Sequence, residues 1–78
     1  MIFDKLVEIM QQLFAIQQQD VSMETYFKND LAIDSLDLYD LDMALEEEFN
    51  IDIPDDKMEG IETVEDLIRL LKELGVED

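Results

Sequence analysis

Asp34-Ser35-Leu36-Asp37-Leu38-Tyr39-Asp40-Leu41-Asp42-Met43-Ala44-Leu45-Glu46-Glu47-Glu48-Phe49 is the stretch whose reading decides the fold. Asp34 offers an N-cap, and Asp37 three residues on gives a weak capping-box arrangement. A helix is predicted from Ser35 to about Phe49. Asn50-Ile51-Asp52-Ile53-Pro54 breaks it, because the residue before a proline is pushed out of the helical region. At 100° per residue the apolar side chains separate into two sets. Leu38, Leu41, Leu45 and Phe49 form an ordinary core stripe. Leu36, Tyr39 and Met43 lie on the opposite side, with Asp40 and Glu47 beside them and Asp37 and Glu46 at the margins. A small core meets only one face of a helix, so the second stripe is expected to be exposed.

The acids on this helix are as unusual as its second stripe. No basic residue falls between Lys28 and Lys57, where eleven of the 22 carboxylates lie. Asp34/Asp37, Asp37/Asp40 and Asp42/Glu46 are like-charge pairs at i+3 or i+4, each costing a few tenths of a kcal/mol. Glu46, Glu47 and Glu48 crowd a helix C-terminus, where the macrodipole favours cations. Choices that work against the helix are expected where function demands them. An apolar stripe set among acids therefore reads as a docking surface for basic partners, with steered association.

Outward from this segment, the chain reads as all-α. Apolar residues from Ile2 to Ile16 follow the i, i+3, i+4, i+7 template through Phe3, Leu6, Val7, Met10, Leu13 and Phe14, predicting an amphipathic helix. Residues 17–33 carry isolated anchors (Val21, Tyr26, Phe27, Leu31, Ile33) among polar breaks. They predict a long packed loop with one short turn after Ser22. Residues 55–60 suit a short helical turn closed by Gly60. Thr63 caps a last helix whose stripe is Val64, Leu67, Ile68, Leu71 and Leu74, and Gly75 stops it. Ile51 and Ile53 look strand-like but have no partner strand. Three principal helices plus a short one, in a single domain spanning 1–78, is the expected architecture.

Composition removes whole classes of function. The 78 residues carry a formal charge of −17, with 5 basic residues against 22 acidic ones. Such a surface repels phosphate backbones and anionic lipid, so neither nucleic acid nor membrane is an expected partner. There is no cysteine and no histidine, which removes the thiolate nucleophile, the usual general base near pH 7 and the commonest metal ligands. No run of residues approaches a membrane span, and the start Met1-Ile2-Phe3-Asp4 lacks the basic opening of a signal peptide. A cytoplasmic protein that is not an enzyme is expected. Ser35 has no histidine to activate it as a hydrolase nucleophile. At the start of a helix its hydroxyl stands where backbone N–H groups favour an attached phosphate.

The run Asp30-Leu31-Ala32-Ile33-Asp34-Ser35-Leu36-Asp37 resembles the Asp-Leu-Gly-x-Asp-Ser-Leu-Asp signature of acyl carrier proteins. Met43 to Phe49, Ile51 to Asp55 and Thr63 to Ile68 continue the likeness in register, and Ile2 to Phe14 fits the family's first helix. The resemblance implies a small acyl-carrier-like helical bundle with a long loop between its first two helices. It implies that Ser35 receives 4′-phosphopantetheine from coenzyme A, transferred by a separate holo-acyl-carrier-protein synthase. The thiol of that arm would carry growing acyl chains as thioesters, folded back between the helices. It also implies that Asp34, Leu36, Asp37, Tyr39, Asp40, Met43, Glu46 and Glu47 meet the basic docking patches of fatty acid synthesis enzymes, with the carrier a monomer. The Ser-Leu-Asp context suits a freestanding fatty-acid carrier, with a dedicated carrier for a specialised acyl or polyketide pathway as the alternative.

Two positions depart from the family pattern. Ala32 stands where the signature has glycine. If that glycine needs positive φ, alanine is strained there by about 1 kcal/mol, or the loop is rebuilt. Asp42, flanking the core stripe, stands where an apolar residue is usual. It either narrows the acyl pocket or partners Lys57. Two readings compete with the carrier. A calcium loop starting at Asp55 puts Lys57 at loop position 3, where an oxygen ligand is needed, which is a poor site, so only weak, diffuse divalent binding along the acidic helix is expected. An unmodified acidic adaptor keeps every feature except the role of Ser35.

Overall fold

A computed structural model describes residues 1–78. Its helices are α1 (Ile2–Phe14), α2 (Ser35–Phe49), α3 (Asp55–Glu59) and α4 (Val64–Glu73), with a 3-10 turn at Gln18–Asp20 and no strand. All four helices feed one core. Ile2, Leu6, Val7, Ile9 and Met10 come from α1, Leu41 and Leu45 from α2, Met58 from α3, and Val64, Leu67, Ile68, Leu70 and Leu71 from α4. The residues from α1 and α4 enter at helical spacing, so amphipathicity explains which face of those helices turns inward.

Helix ends follow local chemistry, with one departure from expectation. α1 stops at Phe14 rather than reaching Ile16, because Ala15 turns into the left-handed region at φ 57° and its N–H bonds the Gln11 carbonyl. No glycine marks this end, so the stop has no signal in the sequence. α2 runs from Ser35 to Phe49 as predicted and closes on Asn50 at φ 53°, a residue that tolerates this region better than alanine. At the end of α4, Gly75 takes φ 101° and the Val76 N–H reaches back to the Leu71 carbonyl at 3.0 Å, a Schellman closure.

The connection from α1 to α2 is long but not loose. Its apolar anchors Val21, Phe27 and Ile33 are buried, and so is Thr25. The expected turn at Ser22 forms, with the Thr25 N–H on the Ser22 carbonyl at 3.2 Å and the Ser22 N–H on Thr25 Oγ1 at 2.8 Å. A fastening that hydrophobic pattern does not foretell ties this loop to the start of α4 through an isolated bridge between Tyr26 and Thr63. The Phe27 N–H donates to the Glu62 carbonyl and the Val64 N–H to the Thr25 carbonyl, both at 3.0 Å. Ile51 and Ile53 join the core edge without pairing as strands. The buried Ile53 N–H instead donates to Glu46 Oε2 at 2.7 Å.

Candidate functional site

Asp34 starts the site by capping α2. Its backbone is extended (φ −93°, ψ −175°) and its Oδ1 accepts the Asp37 N–H at 3.0 Å. Asp37 Oδ2 returns the exchange by accepting the Asp34 N–H at 3.2 Å. Ser35, the first helical residue, is thereby relieved of any capping duty. Its side chain is exposed and its Oγ makes no hydrogen bond within the protein. An exposed hydroxyl at the positive end of a fifteen-residue helix is well placed to carry a phosphodiester.

Ser35 stands on the rim of a cleft of about 830 Å³. One wall is the edge of α2 that carries Leu38, Tyr39 and Asp42. Tyr26 and Phe27 of the long loop contribute a second, and Met58 and Ile61 around α3 a third. Sequence reasoning reached α2 but missed the other walls. Tyr26 and Phe27, isolated apolar anchors in a polar loop, were the available signal; only the Tyr26–Thr63 bridge and the Phe27–Glu62 hydrogen bond bring them to the cleft.

The outer face of α2 is as expected. Leu36, Tyr39 and Met43 are 76%, 53% and 52% exposed, with Asp34, Asp40 and Glu47 exposed around them. Asp37 and Glu46 are half-buried because their carboxylates turn back to the backbone, Asp37 to the cap and Glu46 to Ile53. The one cation that reaches α2 is Lys5, 3.7 Å from Glu48. The face is thus an apolar stripe in an almost uncompensated negative field. No three acidic side chains come together closely enough to hold a metal ion.

Asp42 behaves unlike every other acid in the chain. It is 4% exposed, and its Oδ1 is enclosed with no hydrogen-bond partner. Lys57 does not pair with it, since the ion pairs of this protein involve only Lys5, Arg69 and Lys72. Of the two roles open to Asp42, the structure therefore leaves that of a wall of the cleft. Burial first, then the negative charges of Glu46, Asp55 and Asp52, push its carboxyl up to about 6. Ala32 takes φ 56°, so the strain expected of alanine at the signature glycine is present and the loop is not rebuilt around it.

A serine free of the cap it adjoins stands beside this cleft, and an acidic, apolar-striped helix leads away from it. A family model described as the phosphopantetheine attachment site matches residues 4–71. An acyl carrier protein of Clostridium perfringens is 44% identical over 71 residues, covering 91% of this chain and 93% of the relative. That of Wolinella succinogenes matches with the same identity and coverage. The crystal structure of an acyl carrier protein from Thermotoga maritima superposes with a TM-score of 0.84 at 34% identity, covering 94% of this chain and 85% of the other. A putative acyl carrier protein from Mycobacterium tuberculosis superposes with a TM-score of 0.85 at 25% identity, covering 94% and 97%. The chain belongs to the acyl carrier proteins. It is a carrier rather than an enzyme, and its cofactor is 4′-phosphopantetheine. The residues present fit that group, since an exposed, unbonded hydroxyl opens onto a cleft with an apolar side.

Proposed function

We propose that Ser35 receives the phosphopantetheine arm and that this protein, as one carrier domain over residues 1–78, shuttles acyl chains in fatty acid biosynthesis. The observation that carries this reading is the free Ser35 hydroxyl at the N-terminus of α2, on the rim of the 830 Å³ cleft. In the attachment step a bond forms between Ser35 Oγ and the coenzyme A phosphorus that carries the pantetheine. The pyrophosphate bond breaks, and adenosine 3′,5′-bisphosphate leaves. The serine proton goes to a base on the holo-acyl-carrier-protein synthase, because this chain has no histidine to take it. The bound arm supplies a thiol that holds acyl groups as thioesters. The chain's own residues do the rest. Leu38, Met58 and Ile61 shelter apolar cargo from water, while Leu36, Tyr39 and Met43 present an apolar stripe to synthesis enzymes. Asp34, Asp40 and Glu47, with Asp37 and Glu46 at the margins, steer those enzymes' basic patches onto it. A cytoplasmic monomer suits this role, and no helix is long and apolar enough to cross a membrane.

One observation favours a second reading, a carrier for a specialised acid. A purely hydrocarbon chain gains nothing from a buried, unpartnered carboxylate such as Asp42 in the wall of its cleft.

The test is the intact mass before and after incubation with coenzyme A and a broad-specificity phosphopantetheinyl transferase. A gain of one phosphopantetheine, absent in Ser35→Ala, is expected. No gain in a folded sample would overturn the attachment and bring the acidic-adaptor reading forward.

A further inference from the structure

The cleft beside Ser35 has two chemically distinct parts. Leu38, Met58 and Ile61 offer an apolar surface suited to methylene groups. Asp42 interrupts that surface with a carboxylate that is almost fully enclosed and forms no hydrogen bond or ion pair, its Oδ1 wholly buried. Buried polar atoms are nearly always hydrogen-bonded, so an orphan in a cavity wall marks a place where a donor is missing. The chain does not supply that donor. Lys28, the one cation lining the cleft, is exposed and forms no ion pair. The remaining charged side chains of the lining, Asp55, Glu59 and Glu62, are all negative. Glu46 and Asp52 add to the field on Asp42 from outside the lining.

A plain alkyl chain laid over this wall would strip the remaining water from Asp42 and return nothing. A chain ending in an ammonium group would keep its methylenes on the apolar side, while its N–H groups made charge-assisted hydrogen bonds to the Asp42 carboxylate where it lines the cleft. The surrounding acids would stabilise the same positive charge. The geometry points to an amino-acyl cargo, in which Asp42 is the specificity-determining residue that accepts an ammonium group on the chain carried by Ser35. This inference rests on the attachment proposed above and on the second reading of the cargo, a specialised acid in place of a fatty acyl chain.

The test compares two loaded forms of the full chain. A phosphopantetheinyl transferase attaches either 6-aminohexanoyl or heptanoyl arms, of equal chain length, from the corresponding coenzyme A derivatives. Intact mass is recorded before any melting. The 6-aminohexanoyl form is expected to melt about 4 °C or more above the heptanoyl form, with nuclear Overhauser contacts from its methylenes to Leu38 and Met58. The advantage should disappear or invert in Asp42→Leu. Asp42→Asn, which keeps the side chain's shape, supplies the same comparison if the leucine variant is misfolded. Equal melting of the two loaded forms, or an advantage that survives both substitutions, overturns the inference and leaves the carrier role intact. Absence of any mass gain overturns the attachment, and the inference with it.

Discussion

Asp34 and Asp37 hold each other's backbone: Asp34 Oδ1 accepts the Asp37 N–H at 3.0 Å, and Asp37 Oδ2 accepts the Asp34 N–H at 3.2 Å. Counted only as charges, the pair is a cost of a few tenths of a kcal/mol. As a capping box at the positive end of α2 it is a net gain, because two orphan N–H groups find anionic acceptors. It also leaves Ser35 unencumbered between them.

Asp34→Ala should therefore lower stability by about 1 kcal/mol, or about 4–8 °C in melting temperature for a domain of this size. Asp34→Ser, which can still accept the N–H, should recover most of it. Thermal denaturation followed by circular dichroism decides this. A neutral alanine variant would mean that relief of repulsion matches the cap.

Asp42 gives stability an inverted pH dependence. Its carboxyl is raised from 3.8 to about 6 in the folded state, so protonation favours folding. Its contribution is complete below pH 3.8 and fades as pH rises through about 6, a change on the order of 3 kcal/mol. Asp66 has the opposite sign. Hydrogen bonds from the Thr63 and Glu62 N–H groups hold its carboxyl below the usual range, so its contribution is lost only as pH falls below 3.8. Urea denaturation should show the native chain gaining stability between pH 7 and pH 5. Asp42→Asn should have a flatter profile over that window. Parallel profiles would mean that Asp42 is not the titrating group.

Ala32 adopts φ 56°, where a Cβ costs roughly 1–2 kcal/mol. Glycine removes that cost but loses more entropy on folding, so Ala32→Gly should stabilise by a net ~0.5–1 kcal/mol. The same change at Ala44, inside α2, should destabilise by about 1 kcal/mol. Paired chemical denaturation of the two variants checks the sign at each site.

Glu46 and Glu47 are neighbours with different duties. Glu46 Oε2 holds the N–H of the buried Ile53 at 2.7 Å, whereas Glu47 is exposed and makes no hydrogen bond or ion pair within the protein. Glu46→Ala should cost about 1.5–3 kcal/mol, and Glu47→Ala less than about 0.5 kcal/mol. Denaturation curves, measured before any partner-binding assay, separate docking from folding effects. Equal stabilities would show that water satisfies Ile53 as well as Glu46 does.

The sequence by itself determined the helices and the placement of Ser35. Caps at Asp34 and Thr63, breaks at Pro54 and Gly75 and apolar spacing of three and four residues are local chemistry, acting within one or two turns. The exposure of Leu36, Tyr39 and Met43 was legible for the same reason: a helix cannot bury opposite faces in a core this small. The end of α1 was not legible, because Ala15 reaches the left-handed region without a glycine to announce it. Tertiary structure alone decided the cleft. Its walls come from three separate segments, 26–29, 35–42 and 55–62, the first and last brought together by backbone hydrogen bonds between residues 25–27 and 62–64 that hydrophobic periodicity does not encode. It also decided the fate of Asp42. A carboxylate beside a core stripe can turn outward, find a lysine or be sealed in, and only the packing of neighbouring elements chooses between them.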